Sequence, residues 1–456
     1  MNRERETFGS RFAVIMAMAG SAIGLGNIWR FPYMAGQWGG GAFVAIYIVA
    51  SLLLALPIML SESIIGRRSR SGTCGAMEKL APGSGWKWLG ILTVVAPIIL
   101  MSYYSVVGGW SVEYMFKSLS FEFNNTPAED IPGLFGTFIS STWEPILMHT
   151  LFLGMVAGIV LGGVKKGIEK FTKLTMPALF VMIVSIIIYS VSLPGAGDGV
   201  RYLVKTDFSK LSAAAFPAAL GQAFFSLSLG VGTVLTYASY VSKKENLLAS
   251  GLGTAISDLL FAIMAGFAIM PAVFAAGLEP GTGPGLVFET LPFIFNKMGM
   301  SSVPWLSAVI AIVFFVAILV AALTSAISMM EVGVAYLREE KGVSRFGAVA
   351  MIFCFAWIVG ALCSLSFGSL SGVKIFGQTI FNFLDKLCSD ILLPLGGLMF
   401  SLFVGWKMAR EDVRDEFTNG GTLKANCRIW NVFYFLVRYI CPAGILIIFI
   451  SGFFGS

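Results

Sequence analysis

Two apolar stretches of the chain are interrupted by glycines that stand next to side chains with hard oxygen atoms. The first reads AGSAIGLGN over residues 19–27, and the second reads SLSLGVG over residues 226–232. A helix unwinds most easily at glycine, and unwinding frees carbonyl and amide groups together. Freed carbonyls suit a desolvated cation, and the amides at the start of a half-helix suit a carboxylate. The pattern therefore predicts a site for a cation and a small molecule that carries a carboxylate.

Glycines in an apolar helix can instead serve close packing between neighbouring helices. Here the polar side chains cluster where the backbone is easiest to unwind. Irregular backbone at membrane depth is tolerated only where it lines a cavity or is buried in protein, since an unsatisfied polar group in hydrocarbon is costly. The sequence therefore favours the binding interpretation over the packing interpretation.

Cysteine and histidine usage argues against enzymatic chemistry. The six cysteines are scattered without a C-x-x-C motif, and His149 is the sole histidine. A single imidazole without cysteines or clustered carboxylates cannot complete a zinc site. We therefore predict no catalytic residue, no enzyme activity and no organic cofactor.

The elements that must position these residues are membrane-spanning helices. The chain has 456 residues, of which 57% are hydrophobic and 12% charged, about half the charge of a soluble domain. Apolar runs between charged or Gly/Pro-rich connections predict an all-α polytopic membrane protein. The eleven predicted spans are 12–37, 42–66, 88–116, 146–163, 174–192, 214–241, 250–276, 304–337, 346–366, 375–407 and 429–454.

The distribution of basic residues predicts the orientation of these spans. Lysine and arginine number 31 against 25 acidic residues, and most fall in alternate connections on one side. The positive-inside rule then places the N-terminus in the cytoplasm, and an odd number of spans places the C-terminus outside. The basic excess is thus ascribed to cytoplasmic loops beside the lipid bilayer and not to nucleic-acid binding. The opposite connections hold few cations: Lys117, Arg201, Lys205, Lys210, Lys297 and Lys374.

The two glycine-interrupted helices also predict an internal symmetry. They are the first and sixth spans, and an offset of five reverses the orientation of the second copy. We therefore predict one transporter domain over residues 1–456, with inverted repeats at about 12–192 and 214–407 and an additional helix at about 429–454. The first helix of each repeat is expected to be broken at mid-membrane.

Several motifs together resemble one transporter family. They are GSAIGLGNIWRFP at 20–32, GGGAF at 39–43, GQAFFSLSLG at 221–230 and TYASY at 236–240. In this pattern the chain is similar to the neurotransmitter:sodium symporter family, and most of all to its bacterial amino-acid branch with the leucine-transporter-like fold. The resemblance implies a symporter of the bacterial inner membrane. It would import a neutral hydrophobic or aromatic L-amino acid with sodium by alternating access.

By this resemblance two sodium sites are expected. The first would use the carbonyl of Ala22, the side chains of Asn27, Ser226 and Asp258, and the carboxylate of the substrate. The second would use carbonyls and hydroxyls of the first and eighth spans, namely Gly20, Ile23, Ala321, Thr324 and Ser325.

The resemblance also implies a substrate pocket with an apolar side-chain wall. Glycine at position 24 leaves room for a carboxylate, whereas the monoamine branch of the family places an aspartate there. Tyr104 would donate a hydrogen bond to that carboxylate. The implied pocket is Ala22, Gly24, Leu25, Gly26, Leu100, Tyr104, Phe225, Ser226, Ser228, Val231, Ser325 and Met329.

Two gates are implied at opposite ends of this pocket. An external gate would pair Arg30 with Asp385 above Tyr104 and Phe225. Ionisable residues within a membrane are costly, so each is a functional hypothesis by default. A cytoplasmic gate would combine Arg5, Glu339, Ser239 and Tyr240.

Asp258 and Glu62 lead to two further expectations, one about chloride and one about the first helix break. The family usually has asparagine at position 258, and chloride-dependent members have serine at the position of Ala262. Because residues four apart share a helix face, Asp258 could supply a sodium ligand and also the fixed negative charge that chloride provides elsewhere. Transport is therefore expected to be independent of chloride. Glu62 is expected to brace the unwound part of the first span.

One function of another class stays open at this stage. A channel would need a continuous polar pore, but the polar residues gather at one level between two gates. A membrane amino-acid sensor that does not transport could use the same binding residues. Only a flux measurement separates this sensor from a symporter, and the oligomeric state is not predicted.

Overall fold

The computed structural model describes residues 7–212, 214–278, 286–301 and 304–454. In this part of the chain the fold is helical apart from a hairpin of two two-residue strands, β1 (Lys374–Ile375) and β2 (Gln378–Thr379). The prediction of an all-α polytopic membrane protein is confirmed.

The helices of the first half are numbered in chain order. They are α1 (Arg11–Ala22), α2 (Gly26–Gln37), α3 (Gly41–Ser69), α4 (Thr73–Leu80), α5 (Lys87–Leu119), α6 (Glu122–Asn125), α7 (Ile131–Ser140), α8 (Glu144–Leu161), α9 (Val164–Val191) and α10 (Ala196–Val204).

The second half begins with the other interrupted segment. Its helices are α11 (Ala215–Ser226), α12 (Thr233–Ala238), α13 (Leu247–Ala275), α14 (Leu291–Ser301), α15 (Pro304–Glu340), α16 (Arg345–Leu365), α17 (Ile380–Lys407), α18 (Arg410–Thr418) and α19 (Lys424–Ile447).

The membrane-spanning helices match the predicted spans. Within the described residues, nine continuous helices are long and apolar enough to cross a membrane, and α1 with α2 forms a further span bent by 54°. The predicted span 214–241 forms α11 and α12, which are separated by residues 227–232. Both helices that were predicted to be broken are therefore interrupted in the structure.

The predicted start of the fifth span was ten residues too late. The span was expected to begin at 174, but α9 begins at Val164. The early turns are rich in lysine, which makes them look like a loop. Lysine can lie on a helix end when its stem runs along the helix and its head reaches water. Lys173 does so here and pairs with Glu169 one turn earlier, at 2.6 Å.

The helices differ in how deeply they are buried. The most apolar part of α5 is 72% buried, whereas that of α9 is 28% buried. Helix α15 packs against α5, α8, α9 and α1. The interrupted helices α1, α11 and α12 are mostly buried among these elements. The two breaks therefore lie inside the bundle and not at its lipid-facing surface.

Candidate functional site

The first break separates α1 from α2 at residues 23–25. Ile23 has an extended backbone, and the amide of Gly24 donates to the Asn27 side-chain oxygen at 3.0 Å. The amide of Leu25 donates to the Tyr104 hydroxyl at 3.3 Å. Asn27 thus occupies the first turn of α2 and also fixes the loop before it, which keeps this short break ordered without a helical ladder.

The second break separates α11 from α12 at residues 227–232. Ser228, Gly230 and Gly232 have positive φ values of 51°, 81° and 69°. The amide of Gly230 donates to Glu62 of α3 at 2.8 Å. A β-carbon at Gly230 would lie 2.0 Å from the Leu393 carbonyl oxygen of α17, so only glycine fits there.

The expectation for Glu62 needs correction. It was expected to brace the unwound part of the first span, but its hydrogen bond goes to the second break. The carboxylate is fully buried, and its other oxygen has no hydrogen-bond partner among the described residues. Sequence distance hides this contact, because Gly230 lies far along the chain.

The two breaks contact each other. The Ser228 hydroxyl of the second break donates to the Ser21 carbonyl at the end of α1, at 2.9 Å. On the other side of α1, the Ser325 hydroxyl of α15 donates to the same carbonyl at 3.2 Å. The end of α1 therefore meets hydroxyls from two different helices.

A small cavity lies between the breaks, α5 and α15. Ten of the twelve residues expected in the substrate pocket line it, and Leu393 of α17 completes the wall. Leu25 does not line the cavity and is held instead by Tyr104, and Ser226 faces Asp258. The ten are Ala22, Gly24, Gly26, Leu100, Tyr104, Phe225, Ser228, Val231, Ser325 and Met329.

Glycine shapes one wall of this cavity. A β-carbon at Gly24 would lie 2.4 Å from the Ser325 hydroxyl oxygen and 3.0 Å from that of Tyr104. A β-carbon at Gly26 would lie 2.9 Å from the Phe225 ring. A side chain at either position would therefore crowd the residues that line the cavity and reduce its volume.

A buried polar cluster surrounds Asp258 of α13. The Asn27 amide donates to one Asp258 carboxylate oxygen at 2.8 Å, and the Ser226 hydroxyl lies 2.8 and 2.9 Å from the two carboxylate oxygens. The Tyr47 hydroxyl lies 3.4 Å from the second oxygen. All four side chains are almost fully buried, and Ala262 one turn later is buried too. The three side chains expected at the first sodium site are therefore in mutual contact.

A second group of oxygens lies on the other side of α1. The Thr324 hydroxyl is 2.9 Å from the Ala321 carbonyl and 3.5 Å from the Ile23 carbonyl, and the Ser325 hydroxyl is also 3.5 Å from the Ile23 carbonyl. A β-carbon at Gly20 would lie 3.4 Å from the Thr324 β-carbon. All five residues expected at the second sodium site therefore lie in one region.

The expected external pair is close but not bonded. Within the described residues, Arg30 and Asp385 form no ion pair, and the Arg30 guanidinium lies 4.8 Å from the centre of the Phe225 ring. Both Arg30 and the Tyr103 hydroxyl are near enough to the Asp385 carboxylate to act on it electrostatically. The Phe225 ring beside Arg30 also lines the cavity.

Three residues of the expected cytoplasmic group each make a hydrogen bond among the described residues. Glu339 accepts a hydrogen bond from the Gly72 amide at 2.7 Å, and the Tyr240 hydroxyl donates to Glu331 at 3.0 Å. The Ser239 hydroxyl, just after α12, donates to the carbonyl of Thr236 in α12. Arg5 lies outside the described residues.

One buried ion pair beside Tyr240 was not predicted from the sequence. Arg345 of α16 contacts Glu331 at 2.6 Å, and Glu331 is fully buried. The amide of Phe8 donates to the Tyr240 carbonyl at 3.1 Å, which ties the segment before α1 to the turn after α12. A carboxylate in the apolar run of α15 was the one available signal, since such a residue needs a partner.

Comparison with known proteins places the chain in a family. The profile described as "Sodium:neurotransmitter symporter family" matches residues 5–129 and 138–455. The chain belongs to this family, which is one of membrane transporters and not of enzymes. The expected family resemblance is confirmed.

Individual relatives cover nearly the whole chain. An uncharacterized sodium-dependent transporter of Bacillus subtilis, YhdH, is 36% identical over 97% of both chains. An uncharacterized sodium-dependent transporter of Haemophilus influenzae is 35% identical over 99% of both. Among solved structures, MhsT in complex with L-phenylalanine superposes with a TM-score of 0.90 at 41% identity, covering 98% of this chain and 99% of that one.

Proposed function

We propose that the protein is a sodium-coupled symporter that imports a neutral hydrophobic or aromatic L-amino acid by alternating access. One observation carries the proposal. A cavity with an apolar wall lies between two broken helices, and clusters of hard oxygen atoms adjoin it on two sides. The family membership supports the sodium coupling, and the similarity to MhsT, solved with L-phenylalanine, supports the class of substrate.

The proposed substrate orientation follows from the ends of the broken helix. The start of α2 at Gly26 carries the positive end of a helix dipole, which favours the substrate carboxylate. The Tyr104 hydroxyl, already within reach of the Leu25 amide, is positioned to donate a further hydrogen bond. Leu100, Val231 and Met329 then surround the substrate side chain. Without an acidic side chain at position 24, the cavity offers no partner to a monoamine at that point.

The first proposed sodium site uses Asn27, Ser226, Asp258 and the Ala22 carbonyl. Oxygen ligands of this kind suit a hard cation. The same site is proposed to include the substrate carboxylate, so the affinities for sodium and amino acid depend on each other. Such a mutual dependence is a coupling free energy and acts in both directions.

The second proposed sodium site joins α1 to α15. It uses the carbonyls of Gly20, Ile23 and Ala321 with the hydroxyls of Thr324 and Ser325. The long hydroxyl-to-carbonyl distances at Ile23, 3.5 Å, support this use, because these oxygens hold each other only weakly. A cation at this position would fix α1 against α15.

We also propose that transport does not depend on chloride. The Asp258 carboxylate, in contact with Asn27, Ser226 and Tyr47, brings a fixed negative charge to the place where chloride-dependent relatives need an anion. The matched variant is Asp258→Asn, which keeps an oxygen ligand and removes the charge. Uptake by the wild type should be equal in chloride and gluconate, and uptake by the variant should fall in both. Loss of wild-type uptake in gluconate would contradict the proposal.

The proposed location is the bacterial inner membrane, with the segment before α1 in the cytoplasm. Arg30 and Asp385 would then close the outer side and Glu339, Tyr240 and Ser239 the inner side, with Arg5 as a further member. During alternating access, the bundle that contains the broken helices would rock against the scaffold formed by the other helices.

The experiment is uptake of labelled L-amino acids into proteoliposomes with an inward sodium gradient, compared with a potassium control. Concentrative, sodium-dependent uptake of an aromatic or branched amino acid is the expected result. Saturable binding of the same amino acid without uptake would instead identify a sensor. Uptake that is equal in sodium and potassium would contradict sodium coupling.

A further inference from the structure

A group of basic and aromatic side chains lies where α17 ends and α19 passes it. We define this basic-aromatic patch as Trp406 and Lys407 of α17, Arg410 of α18, and Arg438 and Tyr439 of α19. The two long helices approach closely at this point, because a β-carbon on Gly405 would lie 2.9 Å from the α-carbon of Arg438. The patch is about 20 Å along α17 from Leu393 in the cavity wall, so it is a separate feature.

The patch lies at the level where the protein leaves the apolar layer. Helix α17 ends at Lys407, and the first turns of α19 extend beyond that end, since Trp430 and Phe433 stack on Phe417 of α18. Arg438 follows two turns later, beside Trp406. Exposed tryptophan and tyrosine at the end of a membrane helix are typical of the interface between acyl chains and headgroups. Trp406 is 56% exposed and Tyr439 is 48% exposed.

Aromatic rings hold the Arg438 guanidinium in place. Its carbon lies 4.2 Å from the Trp406 ring centre and 5.6 Å from that of Tyr439. The Trp406 indole donates to the Arg438 carbonyl at 3.0 Å, and a guanidinium nitrogen lies 3.3 Å from the Tyr434 hydroxyl. The Arg410 guanidinium lies 5.2 Å from the Tyr434 ring centre, and one of its nitrogens lies 3.4 Å from the Asn431 side-chain oxygen. Both cations therefore lie close to Tyr434.

The positive charge of the patch is not neutralised by the protein. Within the described part of the chain, Lys407, Arg410 and Arg438 form no ion pair, and the buried Nε of Arg438 has no hydrogen-bond partner. Arg67 near the other side of α18 differs, because its Nε contacts Glu416 at 2.7 Å. The patch therefore carries positive charge that an anion would satisfy.

The surroundings select a lipid as the source of that anion. The neighbouring side chains of α19 on this surface are apolar and exposed: Val432 is 61% and Phe435 53% exposed. Both lie within a helix apolar enough to span a membrane. Acyl chains would cover these side chains while a headgroup phosphate reaches the guanidinium groups. Arginine is well suited to phosphate because its planar donors bind two oxygens at once.

We propose that the basic-aromatic patch binds the headgroup phosphate of an anionic phospholipid in the leaflet on the α18 side. Each cation near an anionic membrane surface contributes about 1 kcal/mol, which is about fivefold in affinity. The site does not depend on which solute the cavity carries. Binding would fix the α17–α19 pair, and with it the Leu393 wall, to the adjoining lipid.

The test is a titration of the purified full chain, in neutral detergent, with short-chain phosphatidylglycerol, followed by native mass spectrometry. The wild type should bind a first phosphatidylglycerol at least about fivefold more tightly than short-chain phosphatidylcholine. Arg438→Gln and, independently, the exposed Arg410→Gln should each lose about fivefold for phosphatidylglycerol alone. Lys374→Gln, which removes an exposed charge elsewhere, is the matched control and should bind as the wild type does.

Two results of this titration would overturn the proposal, and a third would come from competition with free phosphate. One is equal affinity for the two lipids. The other is unchanged affinity for phosphatidylglycerol in both arginine variants. A third arm adds sodium phosphate at the concentration of the lipid. Displacement of the lipid by free phosphate would show an anion site that does not need the acyl chains, and would also contradict the lipid assignment. Should Arg438→Gln not fold, Arg410→Gln alone decides the result.

Discussion

The two helix breaks look alike in sequence but are held in different ways. The first, at residues 23–25, is held by side chains: Asn27 accepts from the Gly24 amide, the Tyr104 hydroxyl accepts from the Leu25 amide, and hydroxyls meet the Ser21 and Ile23 carbonyls. The second, at residues 227–232, is fixed by the surrounding helices through Glu62 and through a tight contact of Gly230 with α17. A β-carbon would meet side-chain atoms at Gly24 but backbone atoms at Gly230, so we expect the fold to tolerate a substitution in the first break better than one in the second.

The largest effect is expected where the second break meets α17. In Gly230→Ala, the new β-carbon would have to avoid the Leu393 carbonyl oxygen at 2.0 Å and the residue would hold φ at 81°. We expect a loss of about 3 kcal/mol or more of folding free energy, because strain and overpacking add. The measurement is the melting temperature of the purified protein in detergent.

Gly221→Ala is the control for that variant. Gly221 lies in α11, and a β-carbon there would meet nothing within 4 Å. Its melting temperature should equal or exceed that of the wild type, since alanine favours helix over glycine. Equal melting temperatures for Gly230→Ala and Gly221→Ala would show that the second break is not held by packing.

A substitution in the first break should affect binding more than stability. In Gly24→Ala, the β-carbon would meet the Ser325 hydroxyl at 2.4 Å, which a side-chain rotation can relieve. The methyl group still occupies the cavity, so affinity for the amino acid should fall by about ten- to hundredfold. The melting temperature without substrate should change little. Equilibrium binding of labelled amino acid in sodium measures the loss, and unaltered affinity would remove Gly24 from the pocket.

The residues around the two helix breaks differ in how far they could be predicted from sequence. Asn27, Ser226 and the glycines belong to local motifs that indicated both breaks, and the family resemblance added Asp258 to them. The Glu62 contact with Gly230, the Glu331–Arg345 pair and Leu393 of the cavity wall join distant parts of the chain. Such contacts depend on the packing of whole helices, which helical periodicity does not specify.

The same limit explains the errors in helix boundaries. Lys173, in the early turns of α9, was assigned to a loop because a charged side chain is usually exposed to water. In the structure the lysine pairs with Glu169 on the helix itself. Composition therefore identified the spans, but it could not tell a polar loop from a helix end that carries charges.

A smaller effect is expected at the hydroxyls that face the first break. Thr324→Ala removes one proposed ligand of the second sodium site, worth about 1–1.5 kcal/mol, so half-saturation by sodium should rise by about tenfold. Thr324→Ser keeps the hydroxyl and should retain most of the sodium affinity. The readout is the sodium dependence of amino-acid uptake. Identical sodium curves for the alanine and serine variants would exclude the Thr324 hydroxyl as a ligand.

The smallest effect is expected for the bond that braces the second break. Glu62→Gln keeps an oxygen that can accept from the Gly230 amide at the present 2.8 Å. We expect a change of about 1 kcal/mol or less in folding free energy, because the variant loses no volume and keeps the bond. Glu62→Ala, which removes the acceptor, should destabilise the protein clearly more. Equal melting temperatures for these two variants would show that this hydrogen bond does not support the break.

The most direct measurement is the flux of both solutes in one preparation. Proteoliposomes receive labelled sodium and a labelled aromatic L-amino acid, each with and without the other. If the clusters at the two sides of α1 couple ion and substrate, the amino acid will accelerate sodium entry, and Asp258→Ala will abolish both fluxes together. Amino-acid entry without any accompanying sodium, or sodium entry that ignores the amino acid, would contradict symport.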